Sequence, residues 1–159
     1  MKTEQQLEDA IERYGDMIQK ICFIHVRQQA DVDDVFQTVF FKYLRSPDFH
    51  DEEHEKAWIL KVTMRACHDT FRGWFHKKVI TSDDLEHYGI PVQKQDHELL
   101  DMISKMPANY RDVIYLHYYE GYKVTEIADM LHKKENTIHT WLRRARLMLK
   151  DILGGDENE

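Results

Sequence analysis

The chain has 159 residues, 42% of them hydrophobic, and a formal net charge of −7. That length suffices for one ordinary domain or two small ones with true cores, and the acid excess argues weakly against a nucleic-acid partner until its distribution is read. The polar opening "MKTEQQLEDA" and the lack of any long apolar run argue against a secretory leader and against membrane insertion.

Charge is distributed unevenly. Acid gathers in "DFHDEEHE", "DDLEH", "DHELLD" and "DENE". Between Lys61 and Lys78 the bases Lys61, Arg65, Arg72, Lys77 and Lys78 face only Asp69. Between Lys133 and Lys150 the bases Lys133, Lys134, Arg143, Arg144, Arg146 and Lys150 face only Glu135. Two basic segments in an acidic background form an electrostatic footprint that the net charge conceals. The two cysteines, Cys22 and Cys67, make neither a CxxC nor a disulfide framework, and suit buried, reduced thiols in a cytoplasm.

No stretch alternates apolar and polar residues, and the fold class expected is all-α: two small helical domains joined by a flexible linker. A first helix carries Leu7, Ile11, Tyr14, Ile18 and Ile21 as its inner stripe. A second starts near Asp31, with Val32, Val35, Phe36, Val39, Phe40, Tyr43 and Leu44 inward, and stops before Ser46-Pro47. A third runs from about Glu53 to Trp74. The segment from Lys77 to Gln95 has no sustained period and contains Gly89 and Pro91, so it reads as the linker. "DHELLDMISKM" then makes a short helix, and Pro107 stands where the next can start. "ANYRDVIYLHYYEG" reads as one helix stopped by Gly121. The last two helices, "VTEIADMLH" and "ENTIHTWLRRARLMLKDIL", are separated by a turn at His132-Lys133-Lys134.

The third helix carries the first basic strip. Lys61, Arg65, His68 and Arg72 fall at steps of four, three and four, which keeps them on one helical stripe, and His76, Lys77 and Lys78 continue the charge. On the second helix, Asp33, Gln37 and Phe41 fall four apart opposite Val35 and Val39. An acid, an amide and an outward Phe on one face look like a docking surface, to which Asp34 is adjacent. Asp31 has the plainer reading of an acid at a helix start.

A short helix, a tight turn and a longer helix make the shape of a helix-turn-helix. In the last helix Ile138, Leu142, Ala145, Leu149 and Ile152 form the inward stripe. Asn136, Thr137, Thr140, Arg143 and Arg144 then point outward or to the flanks, where such side chains reach phosphates and base edges. A solvated basic face on a helical hairpin would give the same spacing.

The segment from Met106 to Lys150 resembles the C-terminal promoter-binding module of the extracytoplasmic-function sigma factors. The family pattern "LP…YR.V..L.Y.EG…EIA..L….T….L.RAR..L" is met here by Pro107, Tyr110, Arg111, Val113, Leu116, Tyr119, Glu120, Gly121, Glu126, Ile127, Ala128, Leu131, Thr137, Leu142, Arg144, Ala145, Arg146 and Leu149. "ADVDDVFQTVFFKYL" and "KAWILKVTMRACHDTFR" resemble the same family's N-terminal module. The resemblance departs at Lys123 and Lys134, where caps are usual, and at His132, which replaces a turn glycine. His139, Trp141 and Arg65 replace a common Lys, an Arg and an Asn.

The resemblance implies a sigma factor that directs core RNA polymerase to promoters and assists their opening, with residues 1–76 as a region-2-like module, 77–95 as linker and 96–159 as a region-4-like module. It implies that Asp33, Asp34, Gln37 and Phe41 bind core RNA polymerase. Lys61, Arg65, His68, Arg72, Trp74, Lys77 and Lys78 would meet the minus-ten element of promoter DNA. Lys133, Lys134, Asn136, Thr137, His139, Thr140, Arg143 and Arg144 would meet the minus-thirty-five element. It further implies a restraining anti-sigma factor, a monomer when free, and a cytoplasmic place of action. No cofactor, metal or catalytic set is expected, and "HDEEH" at His50–His54 reads as a solvated acidic turn. Two rival readings are an ordinary helix-turn-helix regulator that dimerises, and a sigma-like adaptor that binds polymerase or an anti-sigma factor without reading promoters.

Overall fold

The protein is described by a computed structural model covering residues 1–26, 28–72 and 94–157, the side chains of 71–72, 94–97 and 152–157 excepted. All regular structure among the described residues is helical. The chain divides into two compact units, Met1–Gln93 and Lys94–Glu159.

The first unit is a three-helix bundle of α1 (Glu4–His25), α2 (Gln29–Leu44) and α3 (Glu52–Arg72), each packed on the other two. A capping box starts α1: the Gln6 amide donates to Thr3 Oγ1 at 3.1 Å and the Thr3 amide donates to Gln6 Oε1 at 2.8 Å. Its inner face is Ala10, Tyr14, Ile18, Ile21 and Cys22, all buried. Ile11, expected on that stripe, is instead 42% exposed. At about 100° per residue Ile11 lies farther from the centre of the seam than Ala10, whose small side chain takes the position.

Of the inner face expected for α2, Val32, Val35, Val39, Phe40 and Tyr43 are buried, while Phe36 and Leu44 are half-buried. Asp31 is also buried, in the helix's first turn, where a carboxylate complements the helix dipole. The turn after α2 is held by a residue with no obvious sequence signal. Lys2 donates from Nζ to the Ser46 and Pro47 carbonyls at 3.1 and 2.9 Å. Its ammonium also lies 5.1 Å from the Tyr43 ring centroid and 4.8 Å from that of Phe49. A buried ammonium is tolerable here because its protons have acceptors and its charge faces aromatic π-systems.

Asp51 opens α3 by accepting the His54 amide at 2.8 Å, while the His50 amide donates to His54 Nδ1 at 3.1 Å. The "HDEEH" segment is therefore the exposed start of a helix, with the Asp51 and His54 side chains engaged in local capping. Farther along α3, Ile59, Leu60, Thr63, Met64 and Cys67 are buried. The Thr63 hydroxyl is satisfied by the Ile59 carbonyl at 2.6 Å.

The second unit comprises α4 (Lys94–Ser104), α5 (Ala108–Ile114), α6 (Val124–Leu131) and α7 (Glu135–Glu157). Leu100, Ile103, Val113, Ile114, Leu116, Ile127, Ile138 and Ala145 are wholly buried; each large aliphatic side chain among them contributes about 1.5–3 kcal/mol relative to exposure. Pro107 precedes α5 as its cap residue. The helix from Ala108 does not stay α-helical to Gly121: Tyr115–Tyr119 form a π-helical turn. There the Glu120 amide donates to the Tyr115 carbonyl at 3.0 Å, and the Tyr115 hydroxyl donates to Glu120 Oε2 at 2.7 Å. The widened turn also stacks the Tyr115 and Tyr119 rings, 5.0 Å apart and 12° from parallel. Gly121 follows with φ +82°, a backbone state that glycine adopts without strain.

Candidate polymerase and nucleic-acid interfaces

Three surfaces carry the residues singled out from the sequence, two on the first unit and one on the second. On α2 the outer ridge is Gln29, Asp33, Gln37, Phe41 and Arg45, at steps of four. Asp33, Asp34 and Gln37 are exposed, and Phe41 is 55% exposed despite its large apolar ring. Gln29 Nε2 donates to Asp33 Oδ1 at 2.7 Å, which orients the carboxylate. The Arg45 guanidinium lies 4.2 Å from the Phe41 ring centroid. Arg45 was not singled out from the sequence, although its place four residues beyond Phe41 is the signal that finds it.

On α3, Arg65 is exposed and Lys61 half-buried. Neither is held in an ion pair among the described residues. His68 differs from them: its ring centroid is 5.1 Å from that of His25, at 48°. It leans on the end of α1, so the outward cationic strip consists of Lys61 and Arg65 among the described side chains. The side chain of Arg72, and all of Trp74, Lys77 and Lys78, lie outside the described residues.

On the second unit, α6, the turn and α7 form the helix-turn-helix. Lys123, preceding α6, supplies no acceptor for a cap, because an ammonium only donates. Its amide nevertheless donates to Glu126 Oε1 at 2.8 Å, which gives one arm of a capping box. The turn is closed at His132, whose φ of 55° and ψ of 48° are left-handed. The Lys133 amide reaches back to the Ala128 carbonyl at 2.9 Å, the bond that ends a helix with a left-handed residue. This accounts for the glycine usual at this place: His132 adopts a backbone state that disfavours side chains.

Ile138, Leu142 and Ala145 bury the inner face of α7. Lys133, Lys134, Asn136, His139, Arg143 and Arg144 are exposed, and Thr137 and Thr140 are half-buried at the flanks. Trp141 is half-buried too. Arg146, also outside the expected set, donates to the Tyr118 hydroxyl at 2.8 Å, and Tyr118 is itself 49% exposed. Arg111 has a structural role: buried, it donates from Nε to the Met106 carbonyl and so joins the end of α4 to α5.

Comparison with known proteins bears on both the three-helix bundle and the helix-turn-helix unit. Residues 10–74 match the family description "Sigma-70 region 2", and residues 96–149 match "Sigma-70, region 4". The chain belongs to the extracytoplasmic-function sigma factors.

This sigma factor is 29% identical over 136 residues to RNA polymerase sigma factor SigV of Bacillus subtilis, with 82% of this chain and 81% of that protein covered. It is 24% identical over 162 residues to the ECF RNA polymerase sigma factor SigM of the same organism, covering 96% and 98%. In fold it is similar to CnrH, solved in complex with the cytosolic domain of CnrY: TM-score 0.67, 22% identity, 97% of this chain and 91% of that one. A sigma factor directs RNA polymerase to promoters, and that is the function of this chain. None of its helices among the described residues is long and apolar enough to cross a membrane.

Proposed function

We propose that the first unit binds core RNA polymerase through the α2 ridge of Asp33, Asp34, Gln37 and Phe41, and meets the minus-ten element through the α3 strip. The second unit meets the minus-thirty-five element through the outer face of α7 and the turn before it. The observation that carries this reading is the pair of outward cationic faces, on α3 and on α7, in a chain whose net charge is −7. Exposed cations without internal partners are free to neutralise phosphates, and each phosphate contact adds to the salt dependence of binding.

The division of labour is physical. Two modest contacts on one chain reinforce each other through effective concentration, and the polymerase supplies the platform that makes both possible at once. The acidic remainder repels phosphate, so the isolated protein binds duplex DNA poorly. Asn136 and Thr137 lie in the first turn of α7, where a recognition helix contacts base edges, and Arg144 lies about two turns further on. Arg65 and Lys61 track the phosphates of the strand that separates, and the sequence offers Arg72, Trp74, Lys77 and Lys78 to the same element. The protein acts as a monomer in the cytoplasm until it joins the polymerase. An anti-sigma partner that covers its exposed apolar side chains restrains it; CnrH, of similar fold, was solved with the cytosolic domain of CnrY.

Run-off transcription with purified core polymerase and candidate promoters tests the reading. Initiation from a promoter bearing both elements is expected. Tight binding to core enzyme with no initiation from any promoter would instead identify an adaptor.

A further inference from the structure

Two like pairs face each other along the seam between α1 and α3. Cys22 and Cys67 are both 0% exposed, with their sulfurs 4.0 Å apart. Three residues beyond Cys22, His25 meets His68, the neighbour of Cys67, with ring centroids 5.1 Å apart. The thiols are separated by 45 positions in sequence, so only the bundle brings them together. A disulfide places its sulfurs about 2.0 Å apart. Closing the remaining distance, about 2 Å, requires side-chain rotation and approach of the two helices.

We infer that Cys22 and Cys67 are a modification site, which a peroxide-class oxidant converts to an intramolecular disulfide joining α1 to α3. One thiol, as thiolate, attacks the peroxide O–O bond; that bond breaks, an S–O bond forms, and the leaving oxygen departs as water. The second sulfur then attacks the sulfenic sulfur: the S–S bond forms, the S–O bond breaks and a second water leaves. The two thiols lose two protons and two electrons, and the peroxide is reduced to two waters. A dithiol reductant reverses the step by exchange.

Burial shapes the reaction in two ways. The oxidant reaches the seam only when the helices open locally, so the rate follows that opening rather than collision with an exposed thiol. Once one sulfur is oxidised, its partner is closer than any other thiol, which favours the internal bond over further oxidation or a link between chains. The inference concerns the first unit alone and stands independently of the promoter reading.

The test is mass spectrometry of the full chain after hydrogen peroxide treatment, followed by unfolding and alkylation. The expected product has lost two hydrogens, takes no alkyl group, yields one peptide joining Cys22 to Cys67, and returns to the starting mass with dithiothreitol. Urea below the unfolding midpoint accelerates its formation. Cys22→Ser and Cys67→Ser each abolish the joined peptide. Two alkylatable thiols remaining after an exposure that already oxidises solvent-facing methionine would overturn the inference. So would oxygen addition at either cysteine without hydrogen loss, or dimers joined through these residues.

Discussion

The Tyr43 hydroxyl donates to Glu55 Oε2 at 2.7 Å, and the other oxygen of that carboxylate accepts the Tyr14 hydroxyl at 2.8 Å. One carboxylate on α3 thus ties together α1 and α2, while Arg13 reaches it from the solvent side at 3.3 Å. The Glu55 side chain is only 13% exposed, so its bonds are shielded from water and each to a charged acceptor contributes about 1.5–3 kcal/mol. Glu55→Ala leaves two buried hydroxyls without an acceptor. It should destabilise the first unit by about 2–4 kcal/mol in urea unfolding, whereas Glu52→Ala, which removes only an exposed ion pair with Arg13, should cost under about 1 kcal/mol.

The same carboxylate sets a pH dependence. Burial, followed by the hydrogen bond to Glu55, pushes the Tyr14 and Tyr43 hydroxyls well above their ordinary pKa of 10.0. A raised folded-state value means that the unfolded chain loses these protons first as pH rises. Their contribution is therefore fully present below about pH 10 and declines above it. Denaturation midpoints taken between neutral and strongly alkaline pH should fall above that point, and the fall should be smaller in Tyr14→Phe/Tyr43→Phe.

His132 offers a prediction of opposite sign. Its φ of 55° costs a side-chain-bearing residue about 1–2 kcal/mol, of which glycine's greater unfolded-state freedom offsets part. His132→Gly should stabilise the second unit by about 0.5–1 kcal/mol, read as a higher unfolding midpoint. A lower midpoint would mean that the imidazole makes contacts that outweigh the backbone strain.

Phe41 tests the docking ridge. It is exposed, so Phe41→Ala should leave the fold intact while weakening association with core polymerase about tenfold or more, the loss typical when an aromatic anchor is truncated. Asp34→Lys with Gln37→Ala should act in the same direction. Affinity measured by fluorescence anisotropy against purified core enzyme checks both, with circular dichroism as the control for folding.

Much of the bundle was legible in the sequence because its helices are amphipathic and long. Val32, Val35, Val39 and Tyr43 repeat at helical spacing and are buried together; Asp33, Gln37 and Phe41 share that period in opposite phase and are exposed. What stayed hidden depends on residues distant in sequence. Glu55 sits in a run of acids that reads as solvent-facing, and only the arrival of Tyr14 and Tyr43 makes it a hub. Lys2 is one lysine near a chain start until the α2 turn presents carbonyls and rings to it. The lean of His68 toward His25 likewise arises from helix packing, which periodicity within one helix does not report. The π-helical turn at Tyr115–Tyr119 escapes notice because its aromatic run also fits an α-helix.

We propose that the two units read two promoter elements separately. Footprinting of holoenzyme on a promoter, with permanganate detection of unpaired thymines, tests it most directly. Arg143→Glu with Arg144→Glu should remove upstream protection at the minus-thirty-five element. Lys61→Glu with Arg65→Glu should retain that protection yet yield no unpaired thymines at the minus-ten element, with polymerase affinity unchanged in both. Loss of both signals together in either variant, or of neither in both, would contradict the claim.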